Sequence, residues 1–195
     1  MDNKAEGRRV RMTKMLLKSS LIDIMKTKSI HSISIKEICD GADVNRSTFY
    51  RHYDTQYDLY DDIIEDIASD IAEIHNHPDV KDYTTIEFLI KVLEYIENNR
   101  ETFLVILSDK GKISLGEAFA RFTNRFIDHQ NMSDIELYVT QFIAAGLTST
   151  TWTWLNDESR RSPRELASLL YSIIMHGLGR AMKYAAIVKE QRENQ

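Results

Sequence analysis

The sequence predicts an all-α protein, with an N-terminal three-helix helix-turn-helix domain, a larger helical domain after it, and about nine helices in total. Three observations carry that reading. Two prolines and seven glycines in 195 residues leave long stretches free of helix breakers. Ser34-Ile35-Lys36-Glu37, Ser133-Asp134-Ile135-Glu136 and Ser162-Pro163-Arg164-Glu165 each read as a capping box, a Ser followed three residues later by Glu. Apolar residues recur three and four apart through most of the chain.

The first helix is expected over about residues 8–27, turning Met12, Met15, Leu16, Ile22 and Met25 into a small core. The second opens at the first box, with Ser34 as N-cap and Ile33 and Ile38 placed to form a hydrophobic staple. Ile35, Ile38, Cys39 and Ala42 give this helix one apolar face. Asp40-Gly41-Ala42-Asp43 supplies turn chemistry, and Asn45 is the N-cap of a third short helix. Phe49 and Tyr53, four apart, face inward from it; Arg46, Ser47, Tyr50, Arg51 and His52 form its other face.

A fourth helix is expected from Asp54, as N-cap, towards His77, where Pro78 stops it. Its inward stripe is Tyr60, Ile64, Ile67, Ile71 and Ile74. Nine acidic residues and no Lys or Arg lie between Asp54 and Asp79, a face expected to point into solvent. Helices are then expected over Thr84–Asn98, Arg100–Ser108 and Ser114–His129. The next opens at Ser133, and the last at Ser162 with Pro163 in its first turn. The tail from Lys189 is expected to fray. The domains are therefore read as 1–53 and 54–195, with 54–77 as the connecting helix.

Charge divides along the chain. The net charge is −5, but residues 1–53 hold eleven Lys/Arg against six Asp/Glu, while the remainder holds fourteen against twenty-four. A basic first segment suits phosphate, since binding needs only a local positive surface. Arg8, Arg9, Arg11 and Lys14 are candidates for contacts to a duplex backbone. No apolar run approaches the roughly 20 residues of a membrane span. One Cys makes no internal disulfide, which suits a cytoplasmic protein. His75 and His77 with Glu73 or Asp79 are the nearest approach to a metal set, but they sit at a helix end beside Pro78 in an acidic stretch. There is no Cys pair, Gly-rich phosphate loop or HExxH helix, and His176 reads as a polar neighbour in a bundle. Neither an enzyme nor a cofactor is expected.

A short helix, apolar inside and rich in hydrogen-bonding groups outside, matches what a major groove admits. Arg46 is the candidate for a bidentate guanine contact, and Ser47 for a weaker base contact. Thr48 is open between a phosphate contact and a local helix bond, and Asn45 between a contact and a cap. The run Ile35-Lys36-Glu37-Ile38-Cys39-Asp40-Gly41-Ala42-Asp43-Val44-Asn45-Arg46-Ser47-Thr48-Phe49-Tyr50-Arg51-His52-Tyr53 resembles the DNA-binding domain of the tetracycline-repressor (TetR) family. Its most specific part is Thr48 to Tyr53, and with the helix before it and Tyr57-Asp58-Leu59 after it the likeness covers roughly the first sixty residues. The resemblance implies that Tyr50 and His52 touch phosphates; Arg51 could add another contact. Ser34 and Gln56 complete the expected DNA-binding set. Two departures stand out: Asp43 occupies a position that is usually Gly, and Gln56 one that is often a phosphate-binding Lys.

Two further faces bear on partners. The last helix carries Leu166, Leu169, Leu170, Ile173, Ile174, Gly177, Leu178, Ala181 and Ala185 at three-and-four spacing, thinned by Gly177 and Ala181. The helix before it presents Phe142, Ala145, Gly146, Ser149 and Trp152. Two such helices from each of two chains make a four-helix bundle, so a homodimer is expected; packing on their own domain is the alternative. Phe88, Tyr95, Phe103, Phe119, Phe122, Tyr138 and Phe142 form either core or the lining of a pocket. The resemblance implies a small-molecule effector there that alters the spacing of two DNA-reading heads on a palindromic operator, most often as a repressor. An adaptor that acts through a protein partner without its own operator is the other reading, and salt-sensitive DNA binding separates the two.

Overall fold

A computed structural model describes residues 2–78, 80, 85–108 and 134–177. Among these the regular structure is entirely helical. The elements are α1 (Asp2–Met25), a 3-10 turn (Ile30–Ser32), α2 (Ile35–Ala42), α3 (Arg46–Phe49), α4 (Gln56–His75), α5 (Ile86–Asn98), α6 (Arg100–Ile106), α7 (Asp134–Asn156) and α8, helical over 163–177. The helix expected over 114–129, with Phe119 and Phe122, lies outside the described residues, as do Ser133, Leu178, Ala181 and Ala185. None of the described helices is long and apolar enough to cross a membrane.

The chain divides into two compact units, Met1–Asp70 with Val105–Lys112, and Ile71–Leu104 with Ile113–Gln195. In the first unit, α1 buries Leu17, Ser20, Leu21, Ile22 and Met25. Met12, Met15 and Leu16, expected in the core, are exposed instead. The helix carries apolar groups on two sides, and what fixes its rotation is polar. Lys14 and Lys18 reach acids on α4, and Ser20 reaches the α2 backbone.

α2 begins as its sequence requires. The Ser34 Oγ accepts from the Glu37 backbone N–H, and the Glu37 carboxylate accepts from the Ser34 N–H at 3.0 Å. Lys28 pairs with the same carboxylate. That ion pair, with the backbone and hydroxyl of Ser34, lowers the Glu37 pKa to about 2. Ile33, Ile38, Cys39 and Ala42 are buried, and burial pushes the Cys39 thiol above its ordinary range.

α2 ends on Asp43, whose φ of 52° and ψ of 43° place it in the left-handed region. This is the position where the turn needs positive φ, and Asp is among the few side chains that tolerate it. The Val44 N–H then donates to the Cys39 carbonyl at 3.0 Å and closes the turn.

Gly41 has a different reason. A Cβ built there would sit 2.5 Å from the Ser20 Oγ, which is buried and donates to the Ile38 carbonyl at 2.9 Å. Backbones of α1 and α2 approach closely because nothing projects from Gly41. Gly41→Ala is therefore expected to cost about 1–3 kcal/mol in chemical denaturation, by displacing a satisfied buried hydroxyl. In a Ser20→Ala background the same change should cost clearly less, since the Ser20 Cβ lies at an ordinary 3.6 Å.

The second unit is held by α5, α6, α7 and α8. Thr85 caps α5 by accepting from the Phe88 N–H, and Ile90, Leu93 and Ile96 are buried along it. Tyr95 meets Phe103 edge-on, ring centroids 5.8 Å apart. α7 contributes Ala144, Thr148, Thr151, Trp154 and Leu155, and α8 contributes Leu166, Ala167 and Leu170. Three polar ties fasten the chain between α7 and α8. The Trp154 indole donates to the Arg161 carbonyl at 2.6 Å, Arg100 donates to the Leu155 carbonyl at 2.9 Å, and Arg160 pairs with Glu97 at 3.2 Å. Ser162 and Glu165 then form both bonds of the box that opens α8.

Candidate nucleic-acid interface

The outer face of α3 and the turn that follows carries the sequence-predicted contacts. Asn45 caps the helix by accepting from the Ser47 backbone N–H at 3.0 Å. Beyond Phe49 the backbone continues in turns, with the Tyr53 N–H on the Phe49 carbonyl. Phe49 is fully buried and Tyr53 almost so, their rings 5.7 Å apart. With these two anchors fixed, Arg46, Ser47, Tyr50 and Arg51 are exposed together, Tyr50 at 55%. Arg51 donates to the Thr48 hydroxyl at 3.0 Å, so Thr48 makes a local helix bond and stations the guanidinium. His52 is half-buried beside the Tyr53 ring, and Gln56 half-buried at the start of α4. Ser34 is exposed, with its hydroxyl engaged in the capping box.

Two expectations about this surface are corrected. Lys14, assigned to a duplex backbone, instead pairs with Asp62 at 3.2 Å and lies over the Tyr53 ring. Arg8, Arg9 and Arg11 remain exposed along α1. The acidic face of α4 is not wholly in solvent either. Asp62 accepts from the Tyr53 phenol at 2.5 Å and pairs with Lys18 at 3.0 Å, and Lys18 also pairs with Asp66. The matched signal was present in the sequence as Lys14 and Lys18 four apart and Asp62 and Asp66 four apart. Helix four is also capped one residue later than expected: the Asp58 N–H donates to the Thr55 hydroxyl, and the Thr55 N–H to the Asp58 carboxylate.

Burial pushes the Asp62 carboxyl up, but the hydrogen bonds from Tyr53, Lys18 and Lys14 outweigh it and hold the group below its ordinary range. Burial, then the Asp62 bond, pushes the Tyr53 phenol well up, so it stays a donor. A depressed carboxyl stabilises the fold above its unfolded pKa and ceases to do so as pH falls through the folded value. Asp62→Asn is expected to cost about 1–3 kcal/mol at pH 7. The gap between variant and wild type should narrow below about pH 4, where unfolded carboxylates protonate. Denaturant titrations at both pH values check this.

In the second unit, several expected partner residues are exposed. On α7, Tyr138 and Phe142 are 65% and 79% exposed, and Ala145, Gly146, Ser149 and Trp152 are exposed with them. Tyr138 and Phe142, expected in a pocket, are thus turned outward instead. Residues two apart on a helix differ by 200°, so burying Ala144 turns Phe142 outward. On α8, Ile173 and Gly177 are exposed and Ile174 half-buried. Leu166 and Leu170, assigned to a dimer interface, are instead buried in their own chain. Among the pocket candidates Phe103 is buried, and Phe88 and Tyr95 are half-buried, with Phe88 edge-on to His75. No group of acids, His and Cys among the described residues is arranged to hold a metal.

The described elements are a run of helices, with one tight left-handed turn at Asp43 and an exposed basic face after it. Residues 83–176 match a family model described as the transcriptional regulator C-terminal region. The fold is similar to that of a TetR transcriptional regulator from Streptococcus agalactiae 2603V, with a TM-score of 0.59 at 20% identity, over 88% of this chain and 98% of that one. A second solved structure, the dihydroxyacetone kinase operon activator DhaS, gives a TM-score of 0.49 at 22% identity, over 85% and 95%. No curated protein matches the chain. The family model matches the second half of the chain and the solved structure shares its fold: in both, the chain is similar to TetR transcriptional regulators.

Proposed function

We propose that the protein is a cytoplasmic, sequence-specific DNA-binding regulator that reads a palindromic operator as a homodimer and represses until a small molecule binds its second unit. The observation that carries the reading is the outer face of α3, where Arg46, Ser47, Tyr50 and Arg51 stand exposed over a buried Phe49 and Tyr53. Arg46, a donor only, matches the acceptor pattern of guanine in the major groove; Tyr50 and Arg51 suit phosphates. The exposed Arg8, Arg9, Arg11 and Lys36 add positive charge to the same unit. A single helix this short buries too little to be specific, and a second copy at a two-fold related half-site supplies the rest.

Dimerisation is supported by the open α7 and α8 surfaces. Phe142, Trp152, Leu169 and Ile173 are between 40% and 79% exposed, large apolar side chains that a second copy would cover. Gly146 and Gly177 have nothing within 4 Å of where a Cβ would lie, which leaves room for a neighbouring backbone. Repression and effector control follow the family, with Phe88, Tyr95 and Phe103 the aromatic residues nearest a pocket role.

Selection of sites from a random duplex pool at two salt concentrations tests the DNA reading. An inverted repeat lost at high salt is the expected result, and no enrichment at low salt would end it. Arg46→Ala should relax base preference by roughly 1–3 kcal/mol at one position per half-site, whereas Tyr50→Phe should weaken all sequences alike. For assembly, Phe142→Lys with Ile173→Lys should convert the species seen by light scattering from twice 22.7 kDa to 22.7 kDa. A wild-type chain already at the smaller mass would remove the dimer.

A further inference from the structure

We infer that Ser47 selects the base that offers its amino group to the major groove, adenine or cytosine, on one strand of each half-site. The inference rests on the DNA reading proposed above and adds the class of base read. Its ground is the hydrogen-bond polarity of the α3 cap. Asn45 Oδ1 lies 3.0 Å from the Ser47 backbone nitrogen and 3.1 Å from the Ser47 Oγ. The backbone N–H can only donate, so the Asn45 atom facing it must be the amide oxygen, not the amide nitrogen. That oxygen carries no hydrogen. The Ser47 hydroxyl must therefore donate to it, and a hydroxyl has one proton.

With its proton committed inward, the exposed side of Ser47 presents lone pairs alone. In the major groove adenine N6 and cytosine N4 are donors, while guanine and thymine offer acceptors at the corresponding place. Every base pair contains one donor base, so such a group does not distinguish A·T from G·C. It distinguishes orientation: A or C on the strand it faces is accepted, and G or T sets lone pair against lone pair. Admitting G or T requires breaking the Asn45 bond, a loss equivalent to a preference of roughly threefold to tenfold. Arg46, which carries only donors, makes the opposite choice one residue earlier.

The experiment is site selection with the full chain, with Ser47→Ala and with Asn45→Gly. Wild type should show one position per half-site where A and C together exceed G and T on one strand. Ser47→Ala should erase that preference and leave the other positions alone. Asn45→Gly keeps a tolerated helix cap and releases the hydroxyl, so G and T should become acceptable there. An enriched operator that Ser47→Ala leaves unchanged at every position overturns the inference while DNA binding stands. So does a Ser47-dependent position that favours G or T, or an Asn45→Gly profile identical to wild type. If wild type enriches nothing, the DNA reading falls and this inference falls with it.

Discussion

The first unit depends on one carboxylate. Asp62 collects the Tyr53 phenol, Lys18 and Lys14 at 2.5, 3.0 and 3.2 Å, and so joins α1, the end of the α3 turn and α4 at a single point. A four-residue helix has too few hydrogen bonds to hold its own position. What fixes its direction is the pair of rings beneath it, and one of those rings is gripped by Asp62. The network is half-buried, so its bonds are less screened than surface pairs and its partners are mutually satisfied. The exposed face of α3 is accordingly aimed by residues that take no part in it.

Charge and shape are distributed in the same spirit. The basic excess of the first segment is partly consumed internally, since Lys14 and Lys18 turn to α4 and Lys28 turns to Glu37. The cations left at the surface are Arg-rich, and Arg holds planar, bidentate partners better than Lys does. Gln56 in place of a Lys therefore removes one point charge from a surface whose remaining positive groups are mostly guanidinium.

Local signals were legible in the sequence and tertiary rotation was not. Ser34 with Glu37, Asn45 ahead of Arg46, and Ser162 with Glu165 each act within a few residues, so their pattern dictates their geometry. The Asp43 turn was legible for the same reason, as few side chains accept its backbone. The rotation of α1 was not legible because Met12, Met15 and Leu16 look as apolar as Leu17, Leu21 and Met25; contacts on α2 and on α4, distant in sequence, decide between the faces. Tyr138 and Phe142, read as pocket lining, turn outward for the same reason. An aromatic at helical spacing announces a face, but which way that face looks depends on the neighbour that claims the other one.

The two tryptophans of the chain both belong to α7. Trp154 is buried, with its indole N–H on a carbonyl, and Trp152 is 40% exposed among the open apolar residues. The first unit has tyrosines and no tryptophan. Excited at the red edge of protein absorption, the molecule emits only from its second half, one ring reporting the packed interior and the other the face left in water. Each unit thus carries its own optical identity: the melting of one can be followed while the other stays dark, and the covering of α7 would register as a blue shift from a ring already in place.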